Sequence, residues 1–250
     1  MDYPKRIVMT GETNKALVKA IQAALNHAGC GPLEGTGTFG PKTTQAVKRF
    51  QSTHRDQHGL PLTIDGKVGA ITWAILFGTD NVPGTDANVS PLLTEAISVA
   101  LSQVGNMEDP PGSNKGPEVD AYLASVNLDP GQFWCAAFIY WCFQKAAGNL
   151  SIANPLVKTG NCMAHWNQTR GRKILTAAAQ ENPGLLLPGQ IFIISHGGTS
   201  GHTGLIERVE GGFIDTIEGN SNPTGSSNGI GVFRLQRKIA DISKGFIQYR

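Results

Sequence analysis

The sequence lacks the features that mark several classes of protein. Only 16% of its 250 residues are charged and the formal net charge is +2, whereas nucleic-acid-binding proteins usually cluster Lys and Arg against phosphates. No apolar run approaches the roughly 18 residues that a transmembrane helix requires. Residues 1–6 lack the apolar core of a secretory signal. We therefore expect no nucleic-acid partner and no membrane span.

Cysteine is also scarce, and its spacing argues against a common kind of metal site. The cysteines Cys30, Cys135, Cys142 and Cys162 form no Cys-x-x-Cys pair and no cluster with histidine, so we predict no metal and no cofactor. Cys142 follows Cys135 by two helical turns and is interpreted as a small buried apolar residue. A disulfide between Cys142 and Cys162 is the alternative.

A polar segment divides the chain in two. Residues 80–90 contain Pro83 and Gly84 and show no hydrophobic periodicity, which is typical of a linker. A chain of 250 residues is long enough for two domains. We therefore predict one domain over residues 1–79 and a second over residues 91–250.

The first domain is predicted to be a bundle of three helices. Apolar residues recur at helical spacing over residues 14–27, and two further helices are expected from Pro41 onward and over residues 71–77. Segments 37–43 and 65–72 share the pattern Gly-x-Phe/Val-Gly-x-x-Thr, and each stands at the start of a helix. This internal repeat indicates one turn and helix cap used twice.

Residues 10–78 resemble the three-helix peptidoglycan-binding domain, and the repeated helix start is the most specific part of the match. One departure is Thr36-Gly37, where that family usually has Asp-Gly. The resemblance implies that bacterial peptidoglycan is the partner of this domain. The matching residues are Leu17, Gln22, Leu25, Phe39, Gly40, Thr43, Ala46, Val47, Phe50, Gln51, Gly59, Leu60, Asp65, Gly66, Val68, Gly69, Thr72, Trp73 and Leu76.

The second domain changes from helical to alternating patterns along its length. Helices are predicted over residues 92–104 and 118–126 and from Cys135 onward, the last apolar on nearly all sides and therefore buried. Helices followed by strands predict an α+β domain in which the helix that bears Cys135 packs on an antiparallel sheet. The strands are expected over residues 190–195, 202–209, 212–218, 231–235 and 245–249.

Cys135 is the best candidate for a nucleophile. It follows the turn Pro130-Gly131 and begins the apolar helix, so the helix dipole is expected to lower its pKa and enrich the thiolate. Downstream, His202 begins a strand and Glu218 ends the next one. Adjacent antiparallel strands would bring this histidine and glutamate together as a base and its orienting group, as a thiol hydrolase requires.

The base and its orienting group each have a second candidate. His196 also stands at a strand end, but we prefer His202 as the base because it enters an apolar strand after a turn glycine. Asn220 lies two residues beyond Glu218, on the same face of a regular strand, and could orient the imidazole in its place.

The oxyanion of a tetrahedral intermediate needs hydrogen-bond donors. The backbone N–H of Cys135 is the first candidate, because helix N-termini offer unpaired donors. The side chain of Gln132 or that of Tyr122 could supply a second donor.

Residues 91–250 resemble the CHAP family of cysteine, histidine-dependent amidohydrolases and peptidases, within the papain-like NlpC superfamily. The motifs Trp-Cys-Ala-Ala-Phe and Gly-His-Thr-Gly, in that order, are the strongest part of the match. The resemblance places the nucleophile on Cys135, the base on His202, the third residue on Glu218 and a further polar active-site residue on Asn220. Matching positions are 112–117, 122–123, 134–138, 141–142, 188–191, 201–204, 217–222 and 244–247.

Some CHAP relatives bind calcium in an acidic loop before the cysteine. The corresponding loop contains only Asp120 and Asp129, which are widely separated and lack EF-hand spacing. We therefore predict no calcium site.

Together the two resemblances imply a peptidoglycan hydrolase that cleaves amide bonds by a Cys-His-Glu mechanism and lyses cell walls as an endolysin does. Either an N-acetylmuramoyl-L-alanine amidase or a peptide endopeptidase fits. An antibacterial secreted effector with the same chemistry and an inactive wall-binding protein are the alternatives. We expect a monomer that acts at the cell wall. It either has lost a signal peptide or is made in the cytoplasm and released by holin lysis or a secretion machine.

Overall fold

Helices occupy the first part of the chain and strands the last part. The computed structural model describes residues 1–84, 89–225 and 228–249. Residues 85–88 of the predicted linker therefore lie outside the described residues.

The chain divides into two units, which are described separately. The first consists of Met1–Gly84 together with the short segments Gln180–Gly184 and Glu210–Gly212. The second consists of the remaining described residues.

The first unit contains the three predicted helices, α1 (Lys15–His27), α2 (Pro41–Thr53) and α3 (Ala70–Phe77). Asn14 caps α1, because its side-chain oxygen accepts the backbone N–H of Leu17 at 3.1 Å. Pro41 lies in the first turn of α2, where no intrahelical N–H bond is required. The three helices bury an apolar core that includes Phe50 and Trp73.

A buried glutamine holds the first of the two repeated helix starts. Oε1 of Gln22 accepts the backbone N–H of Gly37 at 3.0 Å. Its Nε2 donates to the carbonyl oxygen of Thr38 and to Oγ1 of Thr43, at 3.1 and 3.0 Å. One side chain thus ties α1 to the turn and to the first turn of α2.

Gln51 repeats this arrangement one helix later. Its Oε1 accepts the backbone N–H of Gly66 at 2.8 Å. Its Nε2 donates to the carbonyl oxygen of Lys67 and to Oγ1 of Thr72, at 2.9 and 3.4 Å. The sequence repeat is therefore a repeat of one hydrogen-bonding device, in which a glutamine joins two successive helices.

The two copies differ at the residue before the turn glycine. Oδ1 of Asp65 accepts Nε2 of Gln51 at 2.9 Å and the backbone N–H two residues further on, also at 2.9 Å. Oγ1 of Thr36 accepts Nε2 of Gln22 at 3.4 Å and the backbone N–H two residues further on at 3.2 Å. Thr36 therefore makes the contacts of Asp65 with longer, uncharged hydrogen bonds.

The first unit continues beyond residue 79. Thr79–Asn81 form a single turn of 3-10 helix, and the carbonyl oxygen of Asn81 accepts the backbone N–H of Tyr3 at 2.6 Å. Val82 is buried in the core of this unit. The first part of the predicted linker is therefore folded with the helices.

The second unit combines helices with a six-stranded antiparallel sheet, whose strand order is β1-β6-β2-β3-β4-β5. Its α-helices are α4 (Pro91–Ser102), α5 (Pro117–Ser125), α6 (Cys135–Asn149), α7 (Cys162–Gln168) and α8 (Thr176–Glu181), the last two residues of α8 being assigned to the first unit. Its strands are β1 (Arg172–Leu175), β2 (Ile191–Gly197), β3 (Ser200–Glu210), β4 (Phe213–Ser221), β5 (Gly231–Lys238) and β6 (Gly245–Gln248).

Helix α6 lies at the centre of this unit. It packs against α4 and α5 and against β4 of the sheet, and its apolar side chains are buried on nearly all sides. Gly219 permits the close approach of β4, because a Cβ there would lie 2.7 Å from the ring of Trp134 and 2.8 Å from Cβ of Phe138. The predicted α+β arrangement, with the cysteine-bearing helix packed on an antiparallel sheet, is confirmed.

Two short α-helices and one short strand of the described residues were not predicted from the sequence. They are the helices α7 and α8 and the edge strand β1, which contain 7, 6 and 4 residues. A hydrophobic pattern needs about two helical turns or several alternations before its period can be recognised. The missed helix α7 is the important one, because its first residue lies beside Cys135.

Candidate active site

Cys135 is the first residue of α6, and the residues before it fix its position. Gly131 has a φ of 93°, which favours glycine, and forms the turn that leads into the helix. Trp134 is fully buried, and its indole N–H donates to Oε1 of Glu108 at 2.9 Å. The thiol of Cys135 therefore lies at the start of a buried helix, and the residue is only 4% exposed.

The sulfur of Cys135 contacts backbone donors and a second thiol. It accepts hydrogen bonds from the backbone N–H groups of Ala136 and Thr203, which lower its pKa. A hydrogen bond with the thiol of Cys162, and then burial, outweigh these donors and raise the pKa of Cys135 well above its ordinary value. The prediction that the helix dipole lowers this pKa is therefore wrong, because it took no account of Cys162.

Cys162 also begins a helix. Asn161 caps α7 by accepting the backbone N–H of Ala164 at 2.8 Å. The sulfur of Cys162 lies 3.5 Å from where a Cβ would stand on Gly201, in β3. Its hydrogen bond with Cys135 is the largest cause of a lowered pKa at Cys162. Two helix N-termini thus bring their first side chains together.

His202 is fully buried in β3. Its Nε2 lies 2.7 Å from Oε2 of Glu218 in the neighbouring strand β4. Its Nδ1 is buried and has no hydrogen-bond partner among the described residues. The next residue, Thr203, donates its N–H to the sulfur of Cys135. The predicted proximity of this histidine and glutamate is confirmed, and the strand that bears His202 reaches the cysteine.

His196, the competing candidate for the base, lies elsewhere in the sheet. It stands near the end of β2 and is exposed to solvent. His165, in α7, is buried, and its Nε2 lies 2.7 Å from the hydroxyl of Tyr249. The structure therefore places His202 next to Glu218 and one residue before Thr203, whose N–H contacts the sulfur of Cys135, and the other two histidines in different surroundings.

Glu218 is held by more groups than the sequence indicated. Arg237 in β5 donates from Nε to Oε1 and from Nη2 to Oε2, both at 2.6 Å. The hydroxyl of Thr216 donates to Oε1 at 2.6 Å. Burial alone would raise the pKa of Glu218, but the hydrogen bonds and positive charge of Arg237 and His202 lower it to about 2. The carboxyl group is therefore ionised at neutral pH.

Asn220 does not share the surroundings of Glu218. The pairing of β4 with β5 shifts register between Glu218 and Ser221, and Asn220 has a φ of 52°. The regular alternation assumed for this pair therefore does not hold. Nδ2 of Asn220 donates to Oδ1 of Asn114 at 3.3 Å, and its Oδ1 is buried with no partner among the described residues.

The two proposed side-chain donors for an oxyanion differ in their surroundings. Gln132 is exposed in the loop before α6. The hydroxyl of Tyr122 donates to Oε1 of Gln103 at 2.9 Å and accepts Nδ2 of Asn106 at 3.0 Å. Tyr122 is therefore already engaged in a buried network, while Gln132 faces solvent next to the cysteine helix.

Two further features of the described residues concern metal-binding clusters and membrane-spanning helices. Within the described ranges, no group of three or more His, Cys, Asp and Glu side chains is arranged to hold a metal ion. In the same part of the chain, no helix has both the length and the apolar character that a bilayer crossing demands.

Comparison with known proteins matches two separate segments of the chain to families. Residues 14–76 match the putative peptidoglycan binding domain, and residues 127–220 match the CHAP domain. No curated protein matches the chain at a significant level. A solved structure of the resuscitation promoting factor interacting protein RipA, in a mutated form, is 16% identical with a TM-score of 0.36, and the alignment covers 88% of this chain and 89% of that one.

Both resemblances deduced from the motifs are confirmed by these family matches. Cys135, His202 and Glu218 all lie within the matched CHAP range, whereas Arg237 lies beyond its end. The chain thus carries a peptidoglycan-binding domain at residues 14–76 and a CHAP domain at residues 127–220.

Proposed function

We propose that this protein hydrolyses amide bonds in peptidoglycan with Cys135 as nucleophile, His202 as base and Glu218 as orienting group. The two family matches support the coarser statement, a peptidoglycan hydrolase that acts at the cell wall. One observation carries the finer proposal. The sulfur of Cys135 contacts the strand that bears His202, and His202 in turn contacts Glu218 at 2.7 Å.

The charge of Glu218 determines which nitrogen of His202 can act as a base. An ionised carboxylate accepts the Nε2–H of the imidazole, which leaves the lone pair on Nδ1. Nδ1 is the buried nitrogen with no partner among the described residues. The Glu218–Arg237 pair therefore holds the imidazole in the tautomer that can remove the thiol proton.

The proposed reaction begins with a protonated thiol, because the pKa of Cys135 is raised by Cys162 and by burial. Nδ1 of His202 takes this proton as the sulfur attacks the carbonyl carbon of the substrate amide. The imidazolium then gives the proton to the amide nitrogen, and the amine leaves. The acyl group stays on Cys135 as a thioester until His202 activates a water that hydrolyses it.

The oxyanion of the tetrahedral intermediate would accept hydrogen bonds from the start of α6. The backbone N–H of Cys135 belongs to the first turn, whose donors lack intrahelical acceptors. We assign the second donor to the side chain of Gln132, since the hydroxyl of Tyr122 is already bonded to Gln103 and Asn106.

The nucleophile is tested with Cys135→Ala in the full-length protein. The variant should no longer reduce the turbidity of a peptidoglycan suspension. Cys142→Ala is the matched control, because it removes a buried thiol from the same helix. Thermal unfolding should show that both variants fold. Lysis by Cys135→Ala at the rate of the control would exclude a thiol mechanism.

The base is tested by comparing two histidines. His202→Ala should reduce the rate by about 10²–10⁴-fold, the usual contribution of a positioned base. His196→Ala, which changes an exposed residue, should leave the rate unchanged, and Glu218→Ala should have a smaller effect than His202→Ala. An inactive His196→Ala variant beside an active His202→Ala variant would contradict the assignment.

The bond that is cleaved is identified by mass spectrometry of fragments released from purified sacculi. An amidase releases stem peptides with a free L-alanine amino group, and an endopeptidase releases muropeptides cut within the stem or cross-bridge. Either result supports amide hydrolysis. Fragments that differ only by new reducing sugar ends would contradict it.

A further inference from the structure

A second thiol lies beside the proposed nucleophile and takes no part in the mechanism above. Cys162 is 4% exposed, as Cys135 is, and both lie in one buried cluster in which α7 packs against α6. The two thiols interact, and each shifts the pKa of the other. Each is the first residue of a helix, and both are free cysteines. The sulfur of Cys162 also lies close to Gly201, the residue before His202.

The neighbouring cysteine of the same helix provides a contrast. Cys142 lies two turns after Cys135 in α6 and is completely buried. Burial is the main influence on its thiol and raises its pKa. Proximity to the nucleophile therefore distinguishes Cys162 from Cys142.

We propose that Cys162 is a resolving cysteine, which closes a reversible disulfide with Cys135 when a peroxide has oxidised the nucleophile. The disulfide ties up the nucleophilic sulfur, so hydrolysis stops until the bond is reduced. The inference rests on the proposed function in one respect, the role of Cys135 as nucleophile.

The oxidation balances with hydrogen peroxide as the oxidant. Nδ1 of His202 takes the thiol proton as the sulfur of Cys135 attacks one peroxide oxygen and the O–O bond breaks. The departing hydroxide receives that proton as one water, and Cys135 becomes a sulfenic acid. The sulfur of Cys162 then attacks the sulfur of Cys135, the S–O bond breaks, and the hydroxyl leaves with the Cys162 proton as a second water. The two thiols lose two electrons, and the peroxide gains them. A dithiol reductant restores both thiols and becomes a disulfide itself.

The contact between the thiols favours this second step over further oxidation. Sulfenic acid that meets no thiol proceeds to sulfinic acid, which ordinary thiols do not reduce. Here the resolving sulfur begins a helix that packs against α6 in the same buried cluster, and the two thiols interact, so the S–S bond of about 2 Å forms between neighbouring side chains. A hydrolase that acts outside the cell meets oxidising conditions, so a resolving thiol would preserve its nucleophile.

The proposal is tested on the full-length protein with hydrogen peroxide as the probe. After catalase removes the peroxide, most of the lytic activity should be lost, and dithiothreitol should restore most of it. Peptide mapping under non-reducing conditions should show a peptide that contains Cys135 linked to one that contains Cys162. Cys135 found mainly as sulfinic acid, with no linked peptide, would overturn the proposal.

Two variants distinguish disulfide formation by Cys162 from general sensitivity to oxidation. For each variant, the activity after treatment is compared with the activity of the same variant before peroxide is added. With excess peroxide, Cys162→Ala should lose activity that dithiothreitol does not restore, because its sulfenic acid has no partner and is oxidised further to sulfinic acid, which dithiothreitol does not reduce. Cys30→Ala, which removes a buried thiol of the first unit, should recover as the unaltered protein does. Equal recovery in Cys162→Ala and Cys30→Ala would overturn the role of Cys162.

The outcome does not depend on finding the correct substrate. The linked peptide is detected even if peptidoglycan is not cleaved, so failure of the proposed function and failure of this inference give different results. A protein that lyses sacculi but never forms the linked peptide would retain the proposed function and lose the resolving cysteine.

Discussion

Arg237 determines how Glu218 can act on His202. The guanidinium forms two hydrogen bonds of 2.6 Å with the buried carboxylate, and an unpaired carboxylate at this depth would cost several kcal/mol. The arginine therefore keeps Glu218 ionised, and the ionised group orients the imidazole. Arg237 acts through Glu218, as a positioning residue.

We expect Arg237→Met to lower the hydrolysis rate at neutral pH by about tenfold or more, a loss of roughly 1.4 kcal/mol of transition-state stabilisation. Without the guanidinium the pKa of Glu218 rises, so the acidic limb of the pH–rate profile should move to higher pH. Arg237→Lys keeps the positive charge but cannot form both hydrogen bonds of the guanidinium. Its rate and its acidic limb should therefore lie between those of the unaltered protein and Arg237→Met. The measurement is the rate of turbidity loss as a function of pH.

Arg234→Met is the matched control for this series. Arg234 lies on the same strand and pairs with Glu207 at 2.7 Å, but its side chain is 60% exposed, and exposed pairs contribute little. Its pH–rate profile should match that of the unaltered protein. An unshifted acidic limb in Arg237→Met would show that this arginine does not tune Glu218.

Acid should destabilise the second unit in two steps. Burial lowers the pKa of His165 from 6.5 to about 4, so between these values the unfolded chain binds a proton that the folded chain does not, and stability falls as the pH falls. The pKa of Glu218 is lowered from 4.5 to about 2, so its contribution is complete above pH 4.5 and is lost towards pH 2. Denaturant unfolding at a series of pH values measures both steps.

A substitution of His165 tests whether this residue causes the first loss of stability. His165→Gln cannot titrate, and its amide can still bond the hydroxyl of Tyr249. The free energy of unfolding of this variant should therefore depend less on pH between 6.5 and 4. The same slope in both proteins would assign the first step to another group.

The types and order of the site residues could be predicted from the sequence, but their electrostatic neighbours could not. His202 and Glu218 stand in adjacent strands, and a hairpin brings such residues together by local geometry. Arg237 enters from the following strand and Cys162 from a separate short helix. No sequence spacing reveals that Arg237 contacts Glu218 or that Cys162 contacts Cys135. Because the second contact was missed, the pKa of the Cys135 thiol was predicted to be lowered, whereas it is raised.

At the scale of elements, prediction succeeded where a pattern was long enough to repeat. The 13-residue helices α1 and α2 and the apolar helix α6 begin within a residue of their predicted positions. The elements of 4 to 7 residues between α6 and β2 were missed, whereas β6, also of 4 residues, was predicted. So few residues show a period only weakly, and the outcome depends on the turn residues on either side. The sequence also predicted that two helix starts repeat, but not that buried glutamines create the repeat.

We expect Thr36→Asp to stabilise the first unit and Asp65→Thr to destabilise it. The aspartate would replace the 3.4 Å hydrogen bond from Gln22 with a charge-assisted one like that between Gln51 and Asp65. The change in the free energy of unfolding should be about 0.5–1 kcal/mol in each direction, since charged acceptors strengthen such bonds. Denaturant unfolding of the full-length variants, followed by tryptophan fluorescence, measures it.

Thr38→Asp controls for charge in this comparison. It adds the same carboxylate two residues away, on an exposed residue of which Gln22 contacts the backbone carbonyl. Its free energy of unfolding should differ from that of the unaltered protein by no more than a few tenths of a kcal/mol, as is usual for substitutions of exposed residues. Equal effects of Thr36→Asp and Thr38→Asp would mean that net charge, and not the glutamine contact, determines stability here.

At the scale of the whole molecule, the two domains imply a division of labour. The peptidoglycan-binding domain at residues 14–76 is expected to hold the wall, and the CHAP domain at residues 127–220 to cleave it. A domain that binds the wall raises the effective concentration of its partner there. The benefit exists only when the substrate is large enough to bind both domains at once.

Removing residues 1–84 should therefore reduce activity on intact sacculi more than on small soluble stem-peptide fragments. The soluble fragments offer no second attachment, so the truncated protein should cleave them at nearly the full-length rate. Residues 1–84 alone should sediment with insoluble peptidoglycan and release no fragments from it. Thermal unfolding of the truncated protein shows whether the remaining residues still fold. If a folded truncated protein loses activity equally on both substrates, the first unit does more than bind the wall, and its interpretation as a binding module fails.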